Sequence, residues 1–168
     1  MISIKPATVD DAEIIRSLAE ATWWPTYSPI LSKEQISYML NLMYGLDTIQ
    51  SQITNREQTY IILYNDDAPK GFAAYAPRAE NKEIYKLHKI YCLPETKDMG
   101  FGKALLQAVE DAVLSAGKNI LELNVNKYNP AIGFYLRQGF IKIYEEDIDI
   151  GEGYQMNDYV MQKILTHE

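Results

Sequence analysis

The sequence predicts a single mixed α/β domain, α+β in character, with helices packed on strands. Three observations predict it. Strand-like and helix-like segments interleave along the whole chain, no repeat, linker or low-complexity stretch divides it, and 168 residues suit one hydrophobic core. A hydrophobic content of 47% beside a charged content of 23% is that of a soluble globular protein.

The elements follow in chain order. Ile2 and Ile4 alternate with polar residues and predict a short first strand. Thr8-Val-Asp-Asp supplies cap chemistry for a helix from about Asp10 to Thr22, with Ile14, Leu18 and Ala21 on one face. Pro25 and Pro29 are expected to break the chain. A second helix follows Ser32, where Ser-Lys-Glu-Gln forms a capping box, and Gly45 interrupts it before Leu46 to Ile53. Tyr60–Tyr64 and Gly71–Ala76 read as strands joined by a turn around Asp66-Asp67, and Tyr85–Leu93 is the next strand. From Phe101 to Ala116 apolar residues recur at helical spacing, and Gly117 ends that helix. Ile120–Val125 is a strand. Asn129 as N-cap and Pro130 at the first helical position start a short helix that Gly139 terminates. Two last strands, around 139–149 and 154–164, flank the Gly151-Glu-Gly153 turn.

The turn between the strand ending at Leu93 and the helix beginning at Phe101 is the first functional signal. Gly100 and Gly102 carry no Cβ, so a ligand can approach the main chain there, and free N–H groups at a helix start favour an anion such as phosphate. Two common phosphate motifs fail on spacing. A P-loop needs Gly where Lys97 stands and Ser or Thr where Ala104 stands; a dinucleotide fingerprint needs Gly where Leu105 stands. Tight helix packing is the bland alternative. A second segment, Asn129-Pro-Ala-Ile-Gly-Phe-Tyr-Leu-Arg-Gln-Gly-Phe140, follows a strand and a turn later. Together the two resemble motifs A and B of the GNAT superfamily, the acyl-CoA-dependent N-acyltransferases. Lys97 through Gly102 matches Gln/Arg-x-x-Gly-x-Gly/Ala with Lys in first place, and Ala131 through Phe140 matches Ala-Ile-x-Phe-Tyr-x-x-x-Gly-Phe at every specified position.

That resemblance implies a mixed, mostly antiparallel sheet flanked by helices, in the order β-α-α-β-β-β-α-β-α-β-β. It also implies acetyl-CoA as acyl-donor cosubstrate, with no metal. The pyrophosphate would rest on main-chain N–H groups of Asp98, Met99, Gly100, Phe101, Gly102 and Lys103, with the Asp98 side chain turned away or capping the helix. The pantetheine arm would pair with the backbone of Ile90, Tyr91 and Cys92, where an N–H can also polarise the thioester carbonyl. Cys92 reads as a small buried residue rather than a nucleophile, because direct transfer needs no acyl-enzyme. Tyr135 matches the motif-B tyrosine that protonates the CoA sulfur; its alternative is a core aromatic beside Ile132 and Leu136. Asn129 both caps its helix and, by resemblance, contacts the cofactor.

Many relatives carry a glutamate base on the fourth strand, and Lys86 occupies that place here. His88 lies two residues on, on the same strand face, and an unperturbed imidazole suits deprotonation of an ammonium. It reads equally as a strand histidine satisfied by a neighbour. For the acceptor, Trp23, Tyr27, Glu152 and Tyr154 stand in the family's variable regions. An aromatic wall facing acids suits a cationic amine. Trp23 and Trp24 read also as core residues or as contacts of a homodimer. The arrangement faintly resembles the polyamine-acetylating branch.

Charge and composition exclude other classes. A net charge of −7 argues against nucleic-acid binding. Seven acids from Ile141 to Glu168 stand against Lys142 and Lys163, a solvated face or an attractor of cationic amines. No apolar run approaches the ~18 residues of a membrane helix. The N-terminus lacks a signal-peptide pattern, and a lone cysteine suits the reducing cytoplasm. Two separated histidines and one cysteine argue against a structural zinc site. The expected activity is transfer of acetyl from acetyl-CoA to a primary amine of a small molecule or protein. The alternatives are a catalytically silent acyl-CoA-binding regulatory module on the same fold, and a partner-binding module led by the Trp pair.

Overall fold

Seven strands form one sheet in a computed structural model that describes residues 1–167. They are β1 (Ile2–Pro6), β2 (Thr59–Asn65), β3 (Ala68–Pro77), β4 (Ile84–Cys92), β5 (Ile120–Asn126), β6 (Ile141–Gly151) and β7 (Tyr154–Ile164). Their order is β1-β2-β3-β4-β5-β7-β6. Every neighbouring pair is antiparallel except β4–β5. Glu168, counted in the acidic C-terminal run, lies outside the described residues. Among those residues, no helix is long and apolar enough to cross a membrane.

Five α-helices cover the two faces. One face carries α4 (Phe101–Ser115) and α5 (Ala131–Arg137), whose Phe101, Leu105, Val109 and Tyr135 pack on Leu87, Leu121, Leu123 and Met161. The other carries α1 (Ala12–Tyr27), α2 (Lys33–Tyr44) and α3 (Leu46–Thr54), which bury Ile15, Trp23, Ile36, Tyr44 and Ile49 against Ile62, Phe72 and Ala74. Strand alternation feeds both cores: Ile61, Leu63 and Ala73 point one way, and Tyr60, Ile62, Phe72 and Ala74 the other.

Helix α1 departs from expectation in two ways. It runs through Pro25 to Tyr27 instead of ending near Thr22. Pro25 forfeits one helical hydrogen bond, a cost of about 3 kcal/mol in a helix interior. Burial of Trp23 and Tyr27, one turn apart with ring centroids 4.5 Å apart, holds the last turn on the core and offsets that cost. The buried stripe is Ala12, Ile15, Leu18, Ala19, Thr22 and Trp23, so Ala21 faces solvent and Ile14 is only half-buried. The expected interruption at Gly45 is present, with α2 ending at Tyr44 and α3 starting at Leu46. Ser32 caps α2 by accepting the Gln35 N–H at 3.1 Å.

Candidate active site

The site begins where two parallel strands part. Pairing of β4 with β5 is confined to Ile84↔Ile120 through Leu87↔Leu123, and beyond Leu87 the strands diverge. A β-bulge falls at the same place. On the β3 side the register steps from Ala74↔Lys89 to Tyr75↔Leu87, leaving His88 without a cross-strand partner. The diverging ends enclose a cavity of about 190 Å³ lined by Leu87–Cys92 of β4, Leu123–Val125 of β5, Tyr27, Asn129 and Tyr135.

On one side this cavity shares Ile90, Tyr91, Cys92 and Tyr135 as walls with a larger groove of about 690 Å³. Ile90, Tyr91 and Cys92 line its inner end; Asp98, Gly100, Phe101, Gly102 and Lys103 line its outer end. Met99 is not among its walls and is half-exposed. Asp98 and Gly100 both adopt left-handed backbone, with φ of 67° and 80°, so at Gly100 the absent Cβ relieves strain directly. This geometry turns the chain so that the N–H groups of Asp98, Gly100, Phe101, Gly102 and Lys103 take no backbone partner among the described residues, whereas those of Thr96, Lys97, Met99 and Ala104 do. At Gly102 a Cβ would meet only Phe134, at 3.7 Å, so the space over it belongs to the groove. The Asp98 side chain does not cap α4, contrary to one expectation for it; the cap position is Gly100, without a side-chain bond. Free N–H groups over a helix start give this end of the groove the means to hold an anion.

Tyr135 sits between the two spaces, lining both and only 8% exposed. It also packs edge-on against Phe134 and Phe140, so the core-aromatic reading and a cavity position coexist. Burial raises its pKa far above the ordinary phenol value, helped by nearby Tyr27 and Cys92, so the hydroxyl stays protonated. Burial likewise pushes the Cys92 thiol up to about 11, which leaves no thiolate nucleophile near neutrality. Tyr27 Oη lies 3.0 Å from Tyr91 Oη and accepts from Asn129 Nδ2 at 3.5 Å. The Asn129 side-chain oxygen accepts the Ala131 N–H at 2.9 Å, but the N-cap falls at Pro130 and not at Asn129 as expected, so Asn129 supports the turn one residue ahead of the helix.

On the other side lies a cavity of about 240 Å³ lined by Trp23, Tyr27, Met39, Met43, Lys86, His88, Tyr91, Asn124, Ile148, Ile150, Met156 and Asp158. Trp23, 1% exposed, is core and cavity wall at once, and Trp24 is half-buried against the same core. Glu152 and Tyr154 are not brought there. Glu152 is exposed at the hairpin tip with φ 52°, and Tyr154 packs on Tyr38 at 5.4 Å between centroids. The hairpin is tied to α2 by Tyr38 Oη donating to the Ile150 carbonyl at 2.7 Å. One acid, Asp158, lines this cavity, and Asn124 donates both to it and to Glu146, which lies outside the cavity wall. Burial, reinforced by Lys86 and Lys89, pushes His88 down to about 4. Its imidazole is neutral at neutral pH, and taking a proton from an ammonium would place a further positive charge in a buried site beside Lys86 and Lys89.

Residues 17–140 match the Acetyltransferase (GNAT) family. The chain belongs to that family. A spermidine N(1)-acetyltransferase of Thermoplasma acidophilum is 27% identical over 167 residues, covering 96% of each chain. Among solved structures, PaiA N-acetyltransferase from Thermoplasma acidophilum, crystallised with coenzyme A, superposes with a TM-score of 0.83 at 24% identity, covering 98% of this chain and 99% of that one. The ribosomal-protein-S18-alanine N-acetyltransferase from Escherichia coli shares the GNAT fold at a TM-score of 0.73 and 18% identity, covering 100% of this chain and 96% of that one. The protein is an acetyl-CoA-dependent N-acetyltransferase of the GNAT family.

Asp158 is the cavity residue whose place the sequence did not single out. It was one of seven acids in a run that reads as a solvated face. The available signal was its position on β7: Met156 and Val160 flank it at period two, so an acid occupies the inward face of a half-apolar strand.

Proposed function

We propose that the protein transfers the acetyl group of acetyl-CoA directly to the primary amine of a small, cationic alkylamine of polyamine-like character. The observation that carries this reading is a row of three adjacent cavities that share walls around the β4–β5 split. The row has a turn with unpartnered N–H groups at one end, a protonated buried phenol in the middle, and an aromatic, methionine-rich cavity with one carboxylate, Asp158, at the other. The spermidine N(1)-acetyltransferase similarity over 96% of both chains supports the acceptor class.

The turn residues Asp98 to Lys103 fit the donor's pyrophosphate, since their unpartnered N–H groups and the α4 dipole favour negative charge. Lys103 adds a point charge at the groove wall. Beyond Leu87, β4 has no β5 partner on that side, so the backbone of Ile90, Tyr91 and Cys92 is free to hold the pantetheine arm as an added strand and to polarise the thioester carbonyl. Tyr135 gives its proton to the departing sulfur. Tyr27, held by Tyr91 and Asn129, walls the meeting point of the two substrates together with Trp23. His88 serves as a neutral hydrogen-bonding group facing the amine rather than as its base.

A small acceptor is favoured over a protein one because the cavity is narrow and the β6–β7 hairpin is fastened across it to α2. Initial rates of thiol release with spermidine, n-butylamine and a peptide bearing a free N-terminal alanine test this. The expected order of kcat/KM is spermidine, then n-butylamine, then peptide; a peptide preference would overturn the small-amine assignment.

A further inference from the structure

An ammonium acceptor needs a counter-ion in the cavity and a group to take its proton, a requirement that rests on the function proposed above. We propose that Asp158 meets both needs: its carboxylate binds the acceptor's primary ammonium and removes the proton that frees the attacking lone pair.

Three observations carry the assignment. Asp158 is 5% exposed yet lines the acceptor cavity. Its Oδ1 is buried with no hydrogen-bond partner, while Oδ2 accepts only a long bond from Asn124 Nδ2 at 3.4 Å. Among the described residues no lysine, arginine or histidine lies within ion-pair distance of it, although the chain's other deeply buried carboxylates, Glu110 and Glu122, are each paired with Lys163 or Arg78. A buried carboxylate left this way is costly and calls for an explanation, which a ligand cation supplies. Trp23, Tyr27 and the methionines Met39 and Met43 offer the apolar and aromatic walls that an alkylammonium prefers.

The neighbours set its proton affinity. Lys86 of β4 and Lys127 after β5 favour the charged carboxylate, as does the Asn124 hydrogen bond, while Glu146 of β6 disfavours it. His88 of β4 is neutral, α1 contributes the protonated Tyr27, and α2 contributes only apolar groups to the cavity. Burial is the largest influence and raises the pKa. A carboxylate with raised proton affinity is better matched to an ammonium than an ordinary one.

R–NH3⁺ gives one proton to Asp158. The amine nitrogen bonds to the thioester carbonyl carbon, and the carbon–sulfur bond breaks as the sulfur takes the Tyr135 phenolic proton. The acylated nitrogen returns its remaining extra proton to Tyr135, and Asp158 releases its proton to water. The net products are the amide, the thiol and one proton.

Asp158→Asn tests the proposal because it keeps shape and removes charge. The kcat/KM for n-butylamine should fall by about a hundredfold or more near neutral pH, with the KM for acetyl-CoA unchanged. The residual rate should climb about tenfold per pH unit, since only amine already neutral in solution can then react. The unfolding midpoint should hold or rise, because an unpaired buried charge has been removed. Wild-type kcat/KM and wild-type pH dependence in the variant would overturn the proposal. Should the wild-type protein turn over no amine at all, the function proposed above fails separately. Calorimetric binding of 1,4-diaminobutane to the CoA complex then decides: binding lost in Asp158→Asn supports the ammonium site, and equal binding, or none to the wild type, refutes it.

Discussion

Tyr135 draws its chemistry from burial. A phenol in water already keeps its proton at neutral pH, and this one, walled by Phe134, Phe140, Tyr27 and Cys92, keeps it at higher pH as well. Tyr135→Phe removes the proton and little else, so kcat should drop by roughly tenfold to a hundredfold, the modest end for an acid because a thiolate leaves easily. The KM for acetyl-CoA should stay put in initial-rate measurements. Unchanged kcat at saturating substrates would return Tyr135 to a purely structural role. His88 shows the opposite limit of sequence reading at this scale. Its type and strand face were legible, but its protonation was not, because two lysines and a burial that only the fold creates decide it.

The elements that build the row of cavities differ in how far their sequences announced them. The turn before α4 and the start of α5 were readable because glycine, asparagine and proline have positional chemistry independent of the rest of the chain. The bulge at His88 and the parting of β4 from β5 were not readable from the local pattern, since a bulge is a mismatch between two strands distant in sequence. The passage of α1 through Pro25 was hidden for a related reason: tertiary burial of Trp23 and Tyr27 overrides a local helix-breaking preference. Gly102 offers a test at this scale. A Cβ there meets only Phe134, at 3.7 Å, so Gly102→Val should leave the thermal unfolding midpoint nearly unchanged. The Kd for CoA by calorimetry should nevertheless rise by at least about tenfold, or ~1.4 kcal/mol, because the added methyls fill the donor groove. Unaltered affinity would remove the α4 turn from the donor site.

Taken whole, the molecule keeps a buried lysine and a half-buried histidine on adjacent positions of β4, and its stability should record them. Lys89, 4% exposed, donates to Tyr60 Oη and to Gln52 Oε1 at 3.3 Å, with its ammonium over the rings of Tyr44 and Tyr60 at 4.9 Å each. Burial lowers its pKa from 10.5 to about 7. Between those values the unfolded chain holds a proton that the folded one has shed, so stability rises with pH across that window and falls as pH drops toward 7. Unfolding free energies from denaturant titrations between pH about 7 and about 9 should climb with a slope of at most about 1.4 kcal/mol per pH unit, and Lys89→Met should flatten it. His88, depressed from 6.5 to about 4, extends the loss of stability below its unfolded value by the same sign. The net charge of −7 places the whole molecule on the side of a cationic acceptor, which it attracts at long range and more weakly as salt increases. The central claim, transfer of acetyl from acetyl-CoA to an alkylamine through the β4–β5 split, is tested most directly by mass spectrometry of spermidine incubated with acetyl-CoA and the protein. Monoacetylated spermidine should accumulate in step with free CoA thiol and only when the protein is present. Bound acetyl-CoA with neither acetylated amine nor released thiol would contradict it.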